Sequence, residues 1–219
     1  MSYDISDLMA RSMENTMAER PLEYLFVWTT LAALSPTLPA DRSRVRILDV
    51  GGAESRLAKT LAELGFDVTV IDINDVVSGR AKFIRANILE FDFPEDHFDI
   101  IIAISTVEHI GLPAYGQTLL DEDGDIKAME KIYRWLKRGG FAIVTVPYGR
   151  PHHPLSFERV YNRKTLAKRI LSAGWEVIAA MYSCYDGVWR PCTEPETDDR
   201  DGCVCLLLRK PRVIPWVRW

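Results

Sequence analysis

The apolar positions after residue 44 follow two alternating patterns. Short runs rich in β-branched residues alternate with stretches whose apolar residues recur every three or four positions. The first, fourth and fifth runs are nearly continuous in apolar residues, which is typical of parallel strands buried on both faces. Strands that alternate with helices predict a parallel, doubly wound α/β sheet. The predicted parallel strands are Val45–Val50, Val68–Ile71, Phe83–Ala86, Phe98–Ile104 and Phe141–Val146.

The stretches with helical spacing predict helices over Glu54–Leu64, Asp125–Lys137 and Asn162–Ala173. Each is followed within two residues by a glycine, the residue that most often ends a helix. Residues 3–34 show the same spacing and predict two further helices, the second starting at Pro21 and ending before Ser35. We expect these two helices to cover an edge of the sheet or the mouth of a pocket.

The end of the chain changes pattern. Two apolar runs, Trp175–Tyr182 and Val204–Arg209, are joined by a long polar loop with no room for a helix, so they should pair antiparallel. The sequence therefore predicts a seven-stranded sheet, with five parallel strands, a terminal antiparallel pair, and helices on both faces. We expect the chain to consist of an N-terminal helical cap, residues 1–40, and one domain over residues 41–219. The two parts should form one compact unit.

Composition narrows the classes of function. The chain has 219 residues and a net charge of −4, which fits one domain and gives no basic field to attract nucleic acid. No apolar run approaches the roughly 20 residues needed to span a bilayer, and the first residues do not resemble a signal peptide. The four cysteines lack any C-x-x-C pair, so we expect reduced thiols, no zinc site and a cytoplasmic location. The sequence indicates no oligomeric state.

A small-residue turn joins the first predicted strand to a helix at Asp49–Ser55. Such a turn brings backbone N–H groups close to a ligand. Asp72 ends the next strand, where a carboxylate can accept hydrogen bonds from ribose hydroxyls or cap the following turn. The glycine string of dinucleotide sites is broken at Ala53 and Arg56. The turn therefore predicts an adenosine-bearing cofactor that is not a dinucleotide.

Four segments extend this pattern. ILDVGGAES, VTVIDIND, ANILEFDFPEDHFDIIIAISTVEHI and LKRGGFAIVTVPYG, in this order and spacing, resemble the successive motifs of class I S-adenosylmethionine-dependent methyltransferases. The resemblance covers about residues 45–210 and departs from the family's D-x-G-x-G-x-G at Ala53 and Ser55. It implies S-adenosylmethionine as the cofactor. It also implies the binding residues: Asp49, Gly51, Gly52, Ala53 and Ser105 around the methionine part, Asp72 at the ribose, and Ile73, Asn87 and Ile88 at the adenine.

His109 is the candidate catalytic residue. It follows the fourth strand at the edge where such sheets place their ligands. A histidine whose unperturbed pKa is about 6.5 can act as the base for an alcohol or phenol. The alternative is that Glu108 and His109 pair with each other and hold the loop without taking part in chemistry.

Candidate substrate residues lie in the loops after the fourth and fifth strands. They are Glu108, Tyr115, Tyr148, His152 and His153, and Phe157, Arg159 and Tyr161 could complete the same wall. The acidic cluster Asp121–Asp125 lacks the glutamate of a calcium loop, since Lys131 stands there, and no metal is expected. Asp125 is predicted to cap the next helix, although a substrate-binding role for the cluster stays open. The tryptophan-rich residues 211–219 could strap across the domain or contact a partner or membrane surface.

Together these features favour methyl transfer to a small-molecule or carbohydrate-like acceptor, at oxygen. One alternative is another transferase on the same fold, such as one that transfers an aminopropyl group. A second is a non-catalytic domain that binds the cofactor or a partner protein. A nucleic-acid methyltransferase is disfavoured, because the motif D/N-P-P-Y is absent after the fourth strand and the net charge is negative.

Overall fold

The five predicted parallel strands form one side of the sheet, in the spatial order β3-β2-β1-β4-β5. Because the order reverses between β1 and β4, a crevice opens there at the carboxyl ends of the strands, the place where such sheets bind ligands. The strands are β1 (Arg46–Val50), β2 (Asp67–Asp72), β3 (Lys82–Arg85), β4 (Phe98–Ile104) and β5 (Leu136–Gly149).

The computed structural model describes residues 19–52, 56–75, 79–150, 157–194 and 201–212. The predicted first helix, Ala53, His152, His153 and the tryptophan-rich end lie outside these residues. Among the helices in the described ranges, none has the length and apolar character needed to cross a membrane. The cytoplasmic location and the division of the chain at residue 40 stay predictions.

The antiparallel part of the sheet has three strands instead of two. β8 (Asp201–Arg209) lies antiparallel between β5 and β6 (Glu176–Tyr185), and β7 (Trp189–Cys192) pairs antiparallel with the other edge of β6. The described residues thus form an eight-stranded sheet, and the prediction of seven strands is wrong by this edge strand. Its four residues include Pro191 and no apolar alternation, and a proline is tolerated in a strand at a sheet edge.

The β6–β7 hairpin also corrects the prediction about the thiols. A disulfide joins Cys184 to Cys192 across the hairpin, so these two cysteines are not reduced. The hairpin register pairs Cys184 with Arg190 and Cys192 with Tyr182, so the disulfide joins diagonal neighbours on the two strands. Cys203 and Cys205 are buried free thiols, as expected.

Helices cover both faces of the sheet. Alternate residues of each central strand point to opposite faces, so Leu48 packs in the core with α3 and α4, whereas Ile47 packs in the core with α1 and α2. This arrangement confirms the doubly wound α/β architecture. The helices are α1 (Arg20–Leu34), α2 (Leu57–Glu63), α3 (Gly124–Trp135) and α4 (Arg163–Arg169), with short 3₁₀ turns at Ser35–Thr37, Arg42–Arg44 and Val107–His109.

The ends of these helices follow local signals. Pro21 lies in the first turn of α1, and Asn162 caps α4 through a reciprocal hydrogen-bond pair with Thr165. α3 ends two residues before the predicted Lys137, because the chain enters β5 at Leu136. Asp125 does not cap α3. It lies inside the first turn of that helix and is fully buried.

Candidate active site

A cavity opens at the carboxyl ends of β1, β2 and β4, at the reversal of strand order. This first cavity encloses about 860 Å³, including its open mouth. Gly52 is not among its lining residues, and Ala53 lies outside the described residues. The other residues predicted for the cofactor all line it: Asp49, Gly51, Asp72, Ile73, Asn87, Ile88 and Ser105.

The turn after β1 packs so closely that its glycines have no space for a side chain. Gly51 has a φ of +73°, and a Cβ built on it would lie 2.3 Å from Cγ2 of Thr106. A Cβ on Gly52 would lie 2.6 Å from Oδ2 of Asp49. The backbone of the turn therefore lies directly against the Asp49 carboxylate and the Thr106 side chain, and this packing requires glycine at both positions.

Two side chains at the far end of the first cavity also shape the turns that carry them. Oδ1 of Asp72 accepts a hydrogen bond of 2.8 Å from the backbone N–H of Asn74. Oδ1 of Asn87 accepts one of 3.0 Å from the N–H of Leu89. Asp72 thus caps its turn, as one reading of the sequence allowed, and lines the cavity as well.

A second cavity of about 610 Å³ adjoins the first. Four residues line both: Arg20, Ser105, His109 and Tyr115. The remaining side chains of the second cavity are mostly acidic or aromatic, and they are Glu19, Glu108, Glu158, Phe157 and Trp189, with Pro147, Gly202 and Cys203. The candidate base His109 therefore stands at the junction of the two cavities.

The hydrogen bonding of His109 decides which of its nitrogens can act as a base. Nδ1 lies 2.8 Å from the carbonyl oxygen of Phe157. A carbonyl only accepts, so Nδ1 carries the proton in the neutral ring and Nε2 keeps the lone pair. Nε2 lies 3.8 Å from Oε1 of Glu108, beyond hydrogen-bond distance. The rings of Tyr115 and Phe157 pack edge-on to the imidazole, at centroid distances of 5.0 and 4.9 Å.

Buried carboxyl groups surround this junction. Glu23 of α1 is fully buried, and its Oε1 accepts hydrogen bonds from the hydroxyls of Ser105 (2.6 Å) and Thr145. Its other oxygen lies 3.6 Å from Nε of Arg20. Burial raises the pKa of Glu23, and the Arg20 guanidinium opposes this. Ser105 has a φ of +43°, a left-handed conformation that is uncommon for a serine and recurs at functional sites.

Glu108 is the most isolated of these groups. Its side chain is 1% exposed, and neither carboxyl oxygen makes a hydrogen bond to another described residue. Burial raises the pKa of Glu108 well above its ordinary value, and the nearby carboxyl groups of Glu23 and Glu158 raise it further.

A network of ion pairs behind the site holds the segment that carries Glu108 and His109. Arg159 donates hydrogen bonds to the carbonyls of Glu108 (3.2 Å) and Ile110 (2.8 Å), and also to those of Asp121 and Glu122. Its Nε lies 3.5 Å from the carboxylate of Asp125. The predicted wall residue Arg159 therefore supports the loop from behind.

Asp125 is the centre of this network. It accepts hydrogen bonds from Nε and Nη2 of Arg169 and from the hydroxyl of Tyr161, at 2.8, 2.7 and 2.9 Å. Asp121 pairs with Lys127. Within the described ranges, no group of three or more His, Cys, Asp or Glu side chains could hold a metal ion. The described contacts of Asp121 and Asp125 thus give this acidic cluster a structural role.

The model places Tyr148 outside both cavities. This residue is fully buried in the core beside Tyr182, and its hydroxyl donates a hydrogen bond of 2.8 Å to Glu194. The prediction that it contacts substrate is therefore corrected, because its side chain packs in the core and lines neither cavity. His152 and His153 lie outside the described residues.

A family model described as a methyltransferase domain matches residues 18–180 of the chain. The chain belongs to this methyltransferase domain family. The resemblance to class I S-adenosylmethionine-dependent methyltransferases is thus confirmed, and S-adenosylmethionine is the cofactor of this domain.

Several known proteins are similar to this methyltransferase domain. The ubiquinone/menaquinone biosynthesis C-methyltransferase UbiE of Psychromonas ingrahamii is 29% identical over 147 residues, 58% of this chain and 53% of the relative. The corresponding protein of Shewanella frigidimarina is 29% identical over 140 residues, 56% of this chain and 50% of the relative. The chain therefore spans about half the length of these curated relatives.

Two solved structures share the fold of this methyltransferase domain. One is the 1,6-didemethyltoxoflavin-N1-methyltransferase of Burkholderia thailandensis, with its substrate and S-adenosylhomocysteine bound. Its TM-score is 0.55 at 17% identity, over 94% of this chain and 88% of that one. The other is the 4+2 cyclase SpnF, with a TM-score of 0.59 at 19% identity, over 90% of this chain and 84% of that one. At these identities the likeness shows the fold alone.

The residues of the first cavity fit this cofactor. Asp49 and Asp72 are buried carboxylates, 2% and 8% exposed, and both line the cavity. Buried carboxylates need compensating donors or cations. The cofactor carries a methionine ammonium group and two ribose hydroxyls, so it offers donors suited to both.

Four residues in or beside the second cavity were not identified from the sequence: Arg20, Glu23, Glu158 and Trp189. Glu23 left a usable signal, because it is an acid between Leu22 and the apolar residues Leu25 and Phe26 on the predicted helix. The others lie far apart in the chain, and only the fold brings them together.

We expect Gly51→Ala to weaken the binding of S-adenosylhomocysteine by at least about tenfold. The added Cβ cannot fit beside Thr106, and the positive φ disfavours any L side chain, so the turn must move. Isothermal titration measures the effect. Gly116→Ala is the matched control, since Gly116 has a φ of +76° and nothing lies within 4 Å of the added Cβ. Unchanged affinity in Gly51→Ala would show that the ligand does not approach this turn.

Glu108→Gln is expected to stabilise the fold as the pH rises. The pKa of Glu108 in the folded state lies above 4.5, its ordinary value, so folded protein keeps a proton that unfolded protein releases. The stability from protonated Glu108 is complete below pH 4.5 and is lost as the pH rises through the folded-state pKa. Glutamine cannot ionise, so the variant gains up to about 1.4 kcal/mol per pH unit within that window.

Urea unfolding at acid and neutral pH measures this difference. The groups that face Glu108 are Glu23, Glu158, Arg20 and His109, and all four are retained in the variant. Glu63→Gln, at an exposed position on α2, controls for the loss of a surface carboxylate. An equal stability difference between wild type and Glu108→Gln at both pH values would contradict the expectation.

Proposed function

We propose that this protein transfers a methyl group from S-adenosylmethionine to a hydroxyl oxygen of a small molecule bound in the second cavity. The observation that carries the proposal is the place of His109. It lines both cavities, and its Nδ1–H bond to Phe157 leaves Nε2 as the basic nitrogen. A base at the boundary between cofactor and acceptor is what methyl transfer to a hydroxyl needs.

The cofactor, when bound, supplies a methyl group activated by the positive charge of its sulfonium. The protein has to align the acceptor and remove its proton. In this proposal Nε2 of His109 would take the proton of the acceptor hydroxyl, while the cofactor would supply the methyl group and retain the electron pair of its broken C–S bond. The 2.8 Å hydrogen bond from Nδ1 to Phe157 fixes the ring orientation throughout.

The remaining residues of the junction position these groups. The turn at Gly51 and the carboxylates of Asp49 and Asp72 would hold the cofactor. Ser105 is held in its left-handed conformation by Glu23 and by the backbone and side chain of Thr145. The rings of Tyr115 and Phe157 flank His109 and would exclude water once an acceptor is bound.

A second candidate is transfer to carbon. The curated relatives with 29% identity are C-methyltransferases, which favours this alternative. An acidic carbon also needs a base, so the same histidine would serve. The test also distinguishes the two alternatives that the sequence left open, which are aminopropyl transfer and binding without turnover.

The test uses S-adenosylmethionine labelled in its methyl group, with a panel of phenols, sugars and dicarbonyl compounds. We expect S-adenosylhomocysteine as the by-product and the label in an ether. Label on carbon would support the second candidate. In a parallel assay with decarboxylated S-adenosylmethionine, methylthioadenosine as the by-product would indicate aminopropyl transfer. Failure to bind S-adenosylhomocysteine at high micromolar concentration would overturn the proposal.

A further inference from the structure

We propose that the acceptor is an organic cation, whose protonated amine is bound in the second cavity by Glu108 and flanked by aromatic rings. This inference rests on the proposed function, because it assigns the substrate class of the same site. It depends on three properties of the second cavity: its excess of acidic side chains, the burial of Glu108 without a hydrogen-bond partner among the other described residues, and its aromatic lining.

The charged side chains of the second cavity are mostly negative. Glu19, Glu108 and Glu158 line it, and the cation among the described lining residues, apart from His109, is Arg20. Arg20 already lies 3.6 Å from the buried carboxylate of Glu23. The cavity therefore has an excess of acidic groups, and a cationic ligand would balance it.

Glu108 is the acidic group of the second cavity that would bind the cation. It is 99% buried and lines the cavity, and neither carboxyl oxygen makes a hydrogen bond to another described residue. Buried carboxylates in proteins are normally paired with a cation and hydrogen-bonded. An ammonium group would supply both the charge and up to three N–H donors. An ammonium group would therefore favour the ionised form of Glu108, which burial alone disfavours, whereas a neutral hydroxyl would supply one donor and no charge.

The aromatic lining favours an alkylammonium over an inorganic cation. Tyr115, Phe157 and Trp189 all line the second cavity. The rings of Tyr115 and Phe157 lie 5.6 Å apart and are 50% and 37% exposed, so a ligand at the mouth would cover them. Aromatic faces attract organic cations and also pack against the carbon atoms that carry the charge.

The cofactor's own positive charge is a different explanation for Glu108. Glu108 is absent from the described lining of the first cavity, where Asp49 is the buried carboxylate at the predicted methionine end. The two explanations predict different results. If Glu108 served the sulfonium, its neutralisation would weaken binding of S-adenosylmethionine more than that of S-adenosylhomocysteine.

The experiment measures binding of matched probes to the full chain saturated with S-adenosylhomocysteine. The probe pairs are phenethylamine with phenethyl alcohol, ethanolamine with ethylene glycol, and glucosamine with glucose. Wild-type protein is expected to bind at least one amine about tenfold or more tighter than its neutral partner. Glu108→Gln should lose that preference, whereas the exposed control Glu63→Gln should keep it.

Every other outcome overturns the inference. These outcomes are no preference for an amine in any pair, a preference retained in Glu108→Gln, or a selective loss of S-adenosylmethionine binding in that variant. The affinity for S-adenosylhomocysteine is measured first, and label transfer is assayed separately. A protein that binds this product and transfers label without preferring cations would refute the cationic acceptor and leave the proposed function standing.

Discussion

Replacing His109 with asparagine is expected to lower kcat by about 100- to 10,000-fold, the range that general-base catalysis supplies. Asparagine can place its N–H₂ group near the position of Nδ1, so the hydrogen bond to the Phe157 carbonyl is retained in part. It has no equivalent of Nε2, the basic nitrogen. Binding of S-adenosylhomocysteine should stay within about threefold of wild type.

Steady-state kinetics with the identified acceptor, combined with isothermal titration of S-adenosylhomocysteine, tests this prediction. His97→Asn is the control, because His97 precedes β4 at the opposite end of the sheet and lines neither cavity. If kcat is nearly unchanged, the base is another group, and if cofactor binding collapses, the role of His109 is structural.

Asp125→Asn is expected to destabilise the fold by about 3–5 kcal/mol, the cost of removing one partner from a buried ion pair. Asp125 is fully buried, and the variant would leave Arg169 without a charged partner at 2.7 Å. Arg159 would lose its neighbouring carboxylate too, and this arginine holds the carbonyls of Glu108 and Ile110. We therefore expect lower activity together with lower stability.

Urea unfolding gives the free energy, and Asp123→Asn is the matched control on the same turn. Asp123 has a side chain that is 60% exposed and lies 3.4 Å from Arg169, so its loss should change stability by less than about 0.5 kcal/mol. Adding Arg169→Met to Asp125→Asn should recover part of the loss, because it removes the uncompensated charge. A loss below about 1 kcal/mol in Asp125→Asn would mean that this network does not support the site.

The sequence predicted the parallel half of the fold and the lining of the first cavity because both depend on local patterns. The strands are continuous apolar runs, and residues such as Asp49, Asp72 and Ser105 directly follow or end them. Once the strand order is fixed, these residues must share one edge of the sheet. Whether they bind the cofactor as proposed stays a prediction.

Only part of the second cavity could be predicted in this way, since Glu108, Tyr115 and Phe157 lie in loops that follow predicted strands. Its acidic groups come from the start of α1, the turn after β4 and the segment after β5, and nothing local marks them as neighbours. Glu23 accepts hydrogen bonds from the hydroxyls of Ser105 and Thr145, both more than 80 residues away in the chain, and these donors help to compensate for its burial. The sequence shows an acid among apolar residues of the predicted helix, but it does not show which distant groups donate hydrogen bonds to that acid.

Changes in the β6–β7 hairpin are expected to alter which acceptors bind in the second cavity. Trp189 of this hairpin reaches the second cavity, its base is joined by the Cys184–Cys192 disulfide, and its tip at Val188 is 60% exposed. As an edge element it pairs on one side only, so residues inserted at its tip would not interrupt the parallel strands that carry the first cavity. Insertions at this tip should therefore change which acceptor molecules bind in the second cavity, while the first cavity keeps its structure.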